Sequence, residues 1–244
     1  MVARRARHRP PGPTEELRVG GIARYDAGRW RRTGAPEVVL AEGKSTEHLM
    51  TVVRGLAERG HGALISRPTA AHRRSLDEAA ATGLAVRPLA GGRLYRLAGP
   101  IGRPRPRGRV ALLTAGTADI PVAEEAAGVL ETVGVEVLRG FDVGVAGIHR
   151  LQRLLRAVET RRPAVYLVFA GREGALPTVV AGLVRAPVVG VPTSVGYGRG
   201  GRGSAALEAM LQSCAPLAVV NIDAAVPAAL FALQLLAART RARA

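Results

Sequence analysis

The sequence predicts a three-layer α/β domain built on a parallel sheet, preceded by a smaller α/β region. Three observations point there. From residue 109 onward, five short apolar runs alternate with five segments of helical periodicity across brief loops, the pattern of a parallel sheet covered by helices on both faces. Hydrophobic residues make up 48% of the 244 and aromatics only 3%, so the core is to be packed from Ala, Val and Leu. The stretch GPIGRPRPRGR alternates Pro, Gly and Arg, which reads as a linker and sets a boundary over residues 99–108.

Residues 1–16 are Arg- and Pro-rich with little apolar content, the composition of a disordered tail. The small α/β region spans 17–98. Its first helix is expected from Thr46 to Arg59, with Leu49, Val52, Val53 and Leu56 on one face. A strand from Ala63 to Ser66, a helix from Ala70 to Thr82, and short strands near Val86 and Leu94 follow. In 109–244 the apolar runs 110–116, 135–140, 164–171, 187–193 and 217–223 read as buried parallel strands. Helices are expected over 121–132, from Ile148 with Leu151, Leu154, Leu155 and Val158 at helical spacing, then over 175–184, 204–215 and 226–239. Such sheets bind ligands at the carboxyl ends of their strands. The segments TAGTAD, RGFDVGVAGIHR, AGREGALP, VPTSVGYGRGGRG and VNID all follow strands, so the site is to be built from these loops.

The formal net charge is +16, with 21 basic and 9 acidic residues in 1–108 against 14 and 10 in 109–244. A basic face suits phosphate, on a polymer or on a small nucleotide. With no RNP motif, zinc-finger spacing or basic helix interleaved with aromatics, a nucleic-acid partner is not expected. Of the 35 basic residues 34 are Arg, a compositional bias that makes the only lysine, Lys44, notable. It is either retained for a compact ammonium that a guanidinium cannot replace, or there by chance. One cysteine excludes an internal disulfide and a cysteine-rich zinc site. Neither a secretory leader nor an apolar run long enough to span a membrane is present, so the expected location is the cytoplasm.

The loops offer the chemistry. In TAGTADIPVAEEA (114–126), backbone amides near Gly116 and the Thr117 hydroxyl form a phosphate or carboxylate cradle, unless the segment is only a βα turn capped by Asp119. Asp119 and Asp142 lie in neighbouring strand-end loops, as magnesium ligands or as caps. Glu173 is a candidate general base or a dipole-favoured helix start. His149 and Arg150 suit an anionic group or form a surface pair. Ser194, Gly196 and Tyr197 belong to a glycine-dense loop able to wrap a ligand, with Tyr197 placed to stack on a ring, or to a mobile loop. Cys214 is either a nucleophile or a small buried hydrophobe at a helix end.

TAGTADIPVAEEA resembles the PurE family of purine biosynthesis. Together with TGAPEVVLAEGKST (33–46), DVGVAGIHRL (142–151), GREGALPTVVAGLV (171–184), VPTSVGYG (191–198) and the MLQSCA–VVNID segment (210–223), the order of motifs more specifically resembles the LarB family, over nearly all of the chain after residue 20. The chain departs from the family pattern at Arg172, in RGGRG and in AAVPAA after NID. The resemblance implies a PurE-like, flavodoxin-like domain and a homo-oligomer, an octamer by analogy. It also implies carboxylation of nicotinic acid adenine dinucleotide at ring carbon 5, with hydrolysis of its phosphoanhydride. Carbon dioxide or bicarbonate is the co-substrate and Mg2+ the expected ion. Cys214 becomes the covalent catalyst, Glu173 and Asp119 complete the catalytic set, and Lys44 is expected at the adenylate or phosphoanhydride. The alternatives are a PurE-type carboxyl-transfer enzyme and a non-catalytic nucleotide-binding protein.

Overall fold

The computed structural model describes residues 12–101 and 108–241. The expected tail lies outside the described residues up to position 11, and the linker does so over 102–107. Glu16, expected in the tail, already opens a strand.

The chain starts with a hairpin, β1 (Glu16–Val19) and β2 (Ala23–Asp26), followed by a short helix α1 (Arg29–Thr33) and β3 (Val38–Leu40). Elements of three to five residues carry too little periodicity to be predicted from it, although Gly20-Gly21 between two strand-like runs is a hairpin signal. Helix α2 (Thr46–Glu58) is capped by Ser45, whose hydroxyl accepts from the His48 amide. Strand β4 (Ala63–Ser66) precedes α3 (Ala70–Ala81), where Thr69 and His72 form a reciprocal capping box. Strands β5 (Val86–Leu89) and β6 (Leu94–Leu97) complete a sheet of order β3-β4-β6-β5. Only β3 and β4 run parallel in it. Leu49, Val53 and Leu56 of α2 are fully buried against it with Ala63 and Ile65, each large side chain contributing about 2 kcal/mol.

The second part contains β7 (Arg109–Thr114), α4 (Ile120–Thr132), β8 (Glu136–Gly140), α5 (Ile148–Thr160) and β9 (Val165–Ala170). It continues with α6 (Ala175–Leu183), β10 (Val188–Pro192), α7 (Ser204–Leu211), β11 (Leu217–Val219) and α8 (Ala225–Arg241). The five strands are parallel in the order β11-β10-β9-β7-β8, the flavodoxin-like order read from its far edge. Alternation along the strands sends Val110, Leu112, Val165 and Leu167 to α4 and α8. It sends Ala111, Leu113, Tyr166 and Val168 to α5, α6 and α7. Three layers result, as predicted.

Helix α4 is buried a second time. Leu64 and Leu94 of the N-terminal sheet join the cluster around it, and a Cβ on Gly128 would come within 2.8 Å of Leu94. Two expected elements are shorter than the pattern implied. Helix α7 ends at Leu211 rather than 215, because the Ser213 hydroxyl accepts the Ala215 amide and Pro216 disfavours a helical residue before it. Strand β11 stops at Val219 rather than 223, where the Asn221 side chain takes the Ile222 amide and Asp223 turns left-handed at φ 54°. No helix among the described residues is long and apolar enough to cross a membrane.

Candidate functional site

At the carboxyl ends of β7, β8 and β9 the exit loops surround a cleft of about 500 Å³ lined by Gly116, Thr117, Asp119, Asp142, Arg150 and Glu173, with Arg172 and Val195 at its rim. The structure therefore brings together six of the residues expected from sequence. Asp119 sits at its base, 3% exposed. One carboxyl oxygen accepts the Gly116 amide at 2.9 Å and the other the Thr193 hydroxyl at 2.6 Å; the Gly171 amide also donates to it. Burial pushes this carboxyl up from the usual range against those hydrogen bonds, and the nearby charge of Asp223 adds to the rise. Thr193 is fully buried, and its part was not read from the sequence.

On the β8 side, the Asp142 amide donates to the Thr114 hydroxyl oxygen at 3.0 Å and its carboxylate pairs with Arg150 at 2.8 Å. Glu173 is exposed in the β9 exit loop, 3.9 Å from the Arg172 guanidinium. The turn that presents it depends on Gly174, left-handed at φ 65°, where a Cβ would lie 2.7 Å from the Ala206 carbonyl oxygen. Asp142, Arg172 and Asp223 each have φ between 52° and 56°. Non-glycine residues adopt that conformation when surrounding contacts hold it, and such positions cluster at functional loops.

The remaining candidates lie elsewhere. Ser194, Gly196 and Tyr197 form an exposed loop beyond β10. The Ser194 amide donates to Asp223 at 2.9 Å, and the Arg172 guanidinium lies 4.8 Å from the centre of the Tyr197 ring, a cation–π contact over the cleft rim. His149 is exposed on α5 and does not line the cleft. Lys44 follows β3 and donates to its own strand end at Leu40 O, 2.7 Å away. Cys214 is exposed, so it is not a buried hydrophobe. It lies in the turn from α7 to β11, whose Leu217 pairs with Val188 at the start of β10. That turn is at the amino edge of the sheet, separated from the cleft edge by the length of β10, roughly 15 Å at about 3.3 Å per residue.

A protein-held magnesium ion does not fit the pair Asp119 and Asp142. Both oxygens of the first are occupied by donors and the second is paired with Arg150. Among the described residues no three His, Cys, Asp or Glu side chains converge as a metal site. As arranged, the cleft presents Thr117 and the Arg150 guanidinium to an anionic ligand, with the Glu173 carboxylate exposed at its mouth beside Arg172.

Two families of known proteins match different parts of the chain. Residues 109–243 match the family described as AIR carboxylase, and residues 15–90 match the LarB/PurE-like N-terminal domain. An uncharacterised protein of Methanocaldococcus jannaschii is 39% identical over 213 residues, covering 86% of this chain and 82% of the relative. The N5-carboxyaminoimidazole ribonucleotide mutase of the same organism is 33% identical over 134 residues, 52% of this chain and 78% of the mutase. The crystal structure of Treponema denticola PurE superposes with a TM-score of 0.42 at 24% identity, covering 56% of this chain and 93% of that one.

Proposed function

Because the chain belongs to the AIR carboxylase family in its LarB-type arrangement, we propose that it carboxylates the pyridinium ring of nicotinic acid adenine dinucleotide at carbon 5 and hydrolyses the phosphoanhydride. The products are pyridinium-3,5-biscarboxylic acid mononucleotide and AMP. The observation that carries this reading is the LarB/PurE-like N-terminal domain fused to the carboxylase domain. The mutase relative matches 52% of the chain, so similarity to it leaves the N-terminal region unexplained.

A pyridinium ring is too electron-poor to attack carbon dioxide. Addition of a thiolate forms a C–S bond and moves a ring electron pair to the nitrogen, leaving an enamine whose carbon 5 is nucleophilic. That carbon bonds to carbon dioxide, supplied as such or from bicarbonate. A base then removes the carbon 5 proton, the electrons restore the ring, and the C–S bond breaks to release the thiolate. Glu173, exposed at the cleft mouth, is the base in this scheme. The Gly116 and Thr117 turn and Arg150 hold phosphate or carboxylate groups, and Asp119 fixes the turn from beneath. Tyr197, steadied by Arg172, covers the ring. Cys214 is the thiol, and its place at the opposite sheet edge requires a second copy of the chain to deliver it. The working unit is thus a homo-oligomer, an octamer by likeness to PurE-type cores. No step is assigned to a metal ion.

Purified protein given the dinucleotide, bicarbonate and magnesium should release AMP and a mononucleotide heavier by one carboxyl group, read by mass spectrometry. Glu173→Gln should slow the reaction by about 10²–10⁴-fold, and Cys214→Ser should lose both carboxylation and the covalent adduct seen by intact mass. Turnover of a carboxylated imidazole ribonucleotide without turnover of the dinucleotide would establish the mutase reading instead. Binding without turnover would establish a non-catalytic one.

A further inference from the structure

The N-terminal sheet has a carboxyl edge of its own. Parallel neighbours β3 and β4 both exit there, and between the exits lies a second cleft of about 320 Å³, within the size range of small-ligand sites. Three guanidiniums, of Arg67, Arg73 and Arg93, line it. Arg67 is left-handed at φ 52°, pairs with Glu42 at 3.0 Å and donates to the Asp223 carbonyl. Arg93 is anchored at 3.3 Å by the buried carboxylate of Glu125. Arg73, in the first turn of α3, makes no ion pair among the described residues. Glu42, which faces Arg67, has a side chain 60% exposed, so an incoming anion displaces a solvated carboxylate, whereas Glu125 keeps Arg93 aimed.

This cleft adjoins the first. Asp223 closes it from the second sheet and accepts the Ser194 amide, and the preceding residue, Thr193, donates its hydroxyl to Asp119. One short wall separates the two spaces. We propose that the smaller cleft binds a nucleoside monophosphate through its phosphate, with Arg67, Arg73 and Arg93 as the phosphate ligands. Resting on the function proposed above, the nucleotide is the adenylate half of the dinucleotide. The phosphoanhydride then crosses the wall formed by Asp223, Ser194 and Thr193.

Calorimetric titration of the full chain with AMP, inorganic phosphate and adenosine tests this. AMP should bind, phosphate should compete with it, and adenosine should bind at least ten-fold more weakly. Arg73→Ala should weaken AMP at least ten-fold, Arg73→Lys should recover part of the loss, and Arg153→Ala, at an exposed position of α5 that lines neither cleft, should leave AMP affinity unchanged. Retained binding of nicotinic acid mononucleotide by Arg73→Ala shows that the variant is folded. AMP affinity unchanged in the Arg73→Ala, Arg93→Ala double variant, or lost in Arg150→Ala instead, overturns the site. If the dinucleotide is never turned over but AMP binding still depends on Arg73, the site stands and the function fails. Turnover with AMP binding indifferent to Arg73 and Arg93 gives the reverse.

Discussion

Asp119 is enclosed by the exit loops of β7, β9 and β10, and its ionisation is governed by what each loop supplies. Burial raises its pKa, the Thr193 hydroxyl opposes that rise most among the hydrogen bonds, and the Gly116 and Gly171 amides oppose it further. Removing the hydroxyl while keeping the shape therefore moves the carboxyl higher still. Thr193→Val should shift the acidic limb of the pH–rate profile to higher pH, since a larger fraction of Asp119 is protonated at any given pH. It should also cost about 1–2 kcal/mol of stability in urea unfolding, from a buried acceptor that has lost its donor. Thr193→Ser should restore both. An unmoved pH profile in Thr193→Val, with the stability loss present, would mean that Asp119 acts only as a structural cap.

At the scale of elements, α4 couples the two sheets, and its Glu125 is the polar point of that contact. The carboxyl is fully buried, accepts the Ser66 hydroxyl of β4 at 2.7 Å and meets Arg93 at 3.3 Å. Burial nevertheless raises its pKa above the ordinary value of 4.5, outweighing Ser66 and Arg93. A group raised in the folded state contributes stability that is present below its unfolded pKa and lost as pH rises through the folded one. Wild-type stability should therefore fall above about pH 4.5 by a component that Glu125→Gln lacks. Thermal melts from pH 4 to 8 should show the variant gaining on the wild type as pH rises, while Glu125→Ala, which lacks the same titration, starts about 2 kcal/mol below the wild type at pH 4 and closes part of that gap as pH rises. A constant gap between Gln variant and wild type would show that Glu125 keeps its charge at no net expense. The sequence made α4 legible as a helix but gave no sign of its second buried face. That face is created by Leu64 and Leu94, distant in the chain. The same holds for the site. Gly116, Asp119, Asp142 and Glu173 were legible because parallel topology sends every strand exit to one edge. Lys44 and Cys214 were not: Lys44 follows β3 of the other sheet, and Cys214 lies in the turn from α7 to β11, where the chain enters a strand rather than leaves one. Pro216 marked the early end of α7 and could have been used to place Cys214 beyond it.

For the whole molecule, the decisive matter is whether one chain holds a complete site. The cleft of a single copy is lined by Glu173 and Asp119 but not by Cys214, which stands exposed at the other edge of the sheet. Beside it on that edge are the last residues of α6 and α7, Leu183 and Leu211, exposed at 57% and 65%. Large apolar side chains left open together suit contact with another copy. If the thiol is delivered across such a contact, an inactive Cys214→Ser chain and an inactive Glu173→Gln chain complement each other. Random 1:1 assembly then pairs an intact cleft with an intact cysteine in about a quarter of sites, so co-expressed variants should recover about a quarter of wild-type carboxylation. Chains that each use their own cysteine would recover nothing, since every site would contain one lesion. Leu211→Glu separates the cause further: it should shrink the assembly in light scattering and lose carboxylation, with the helical content of each chain retained. Full activity from a monomeric Leu211→Glu chain would place Cys214 outside the chemistry and return the search for the nucleophile to the cleft itself.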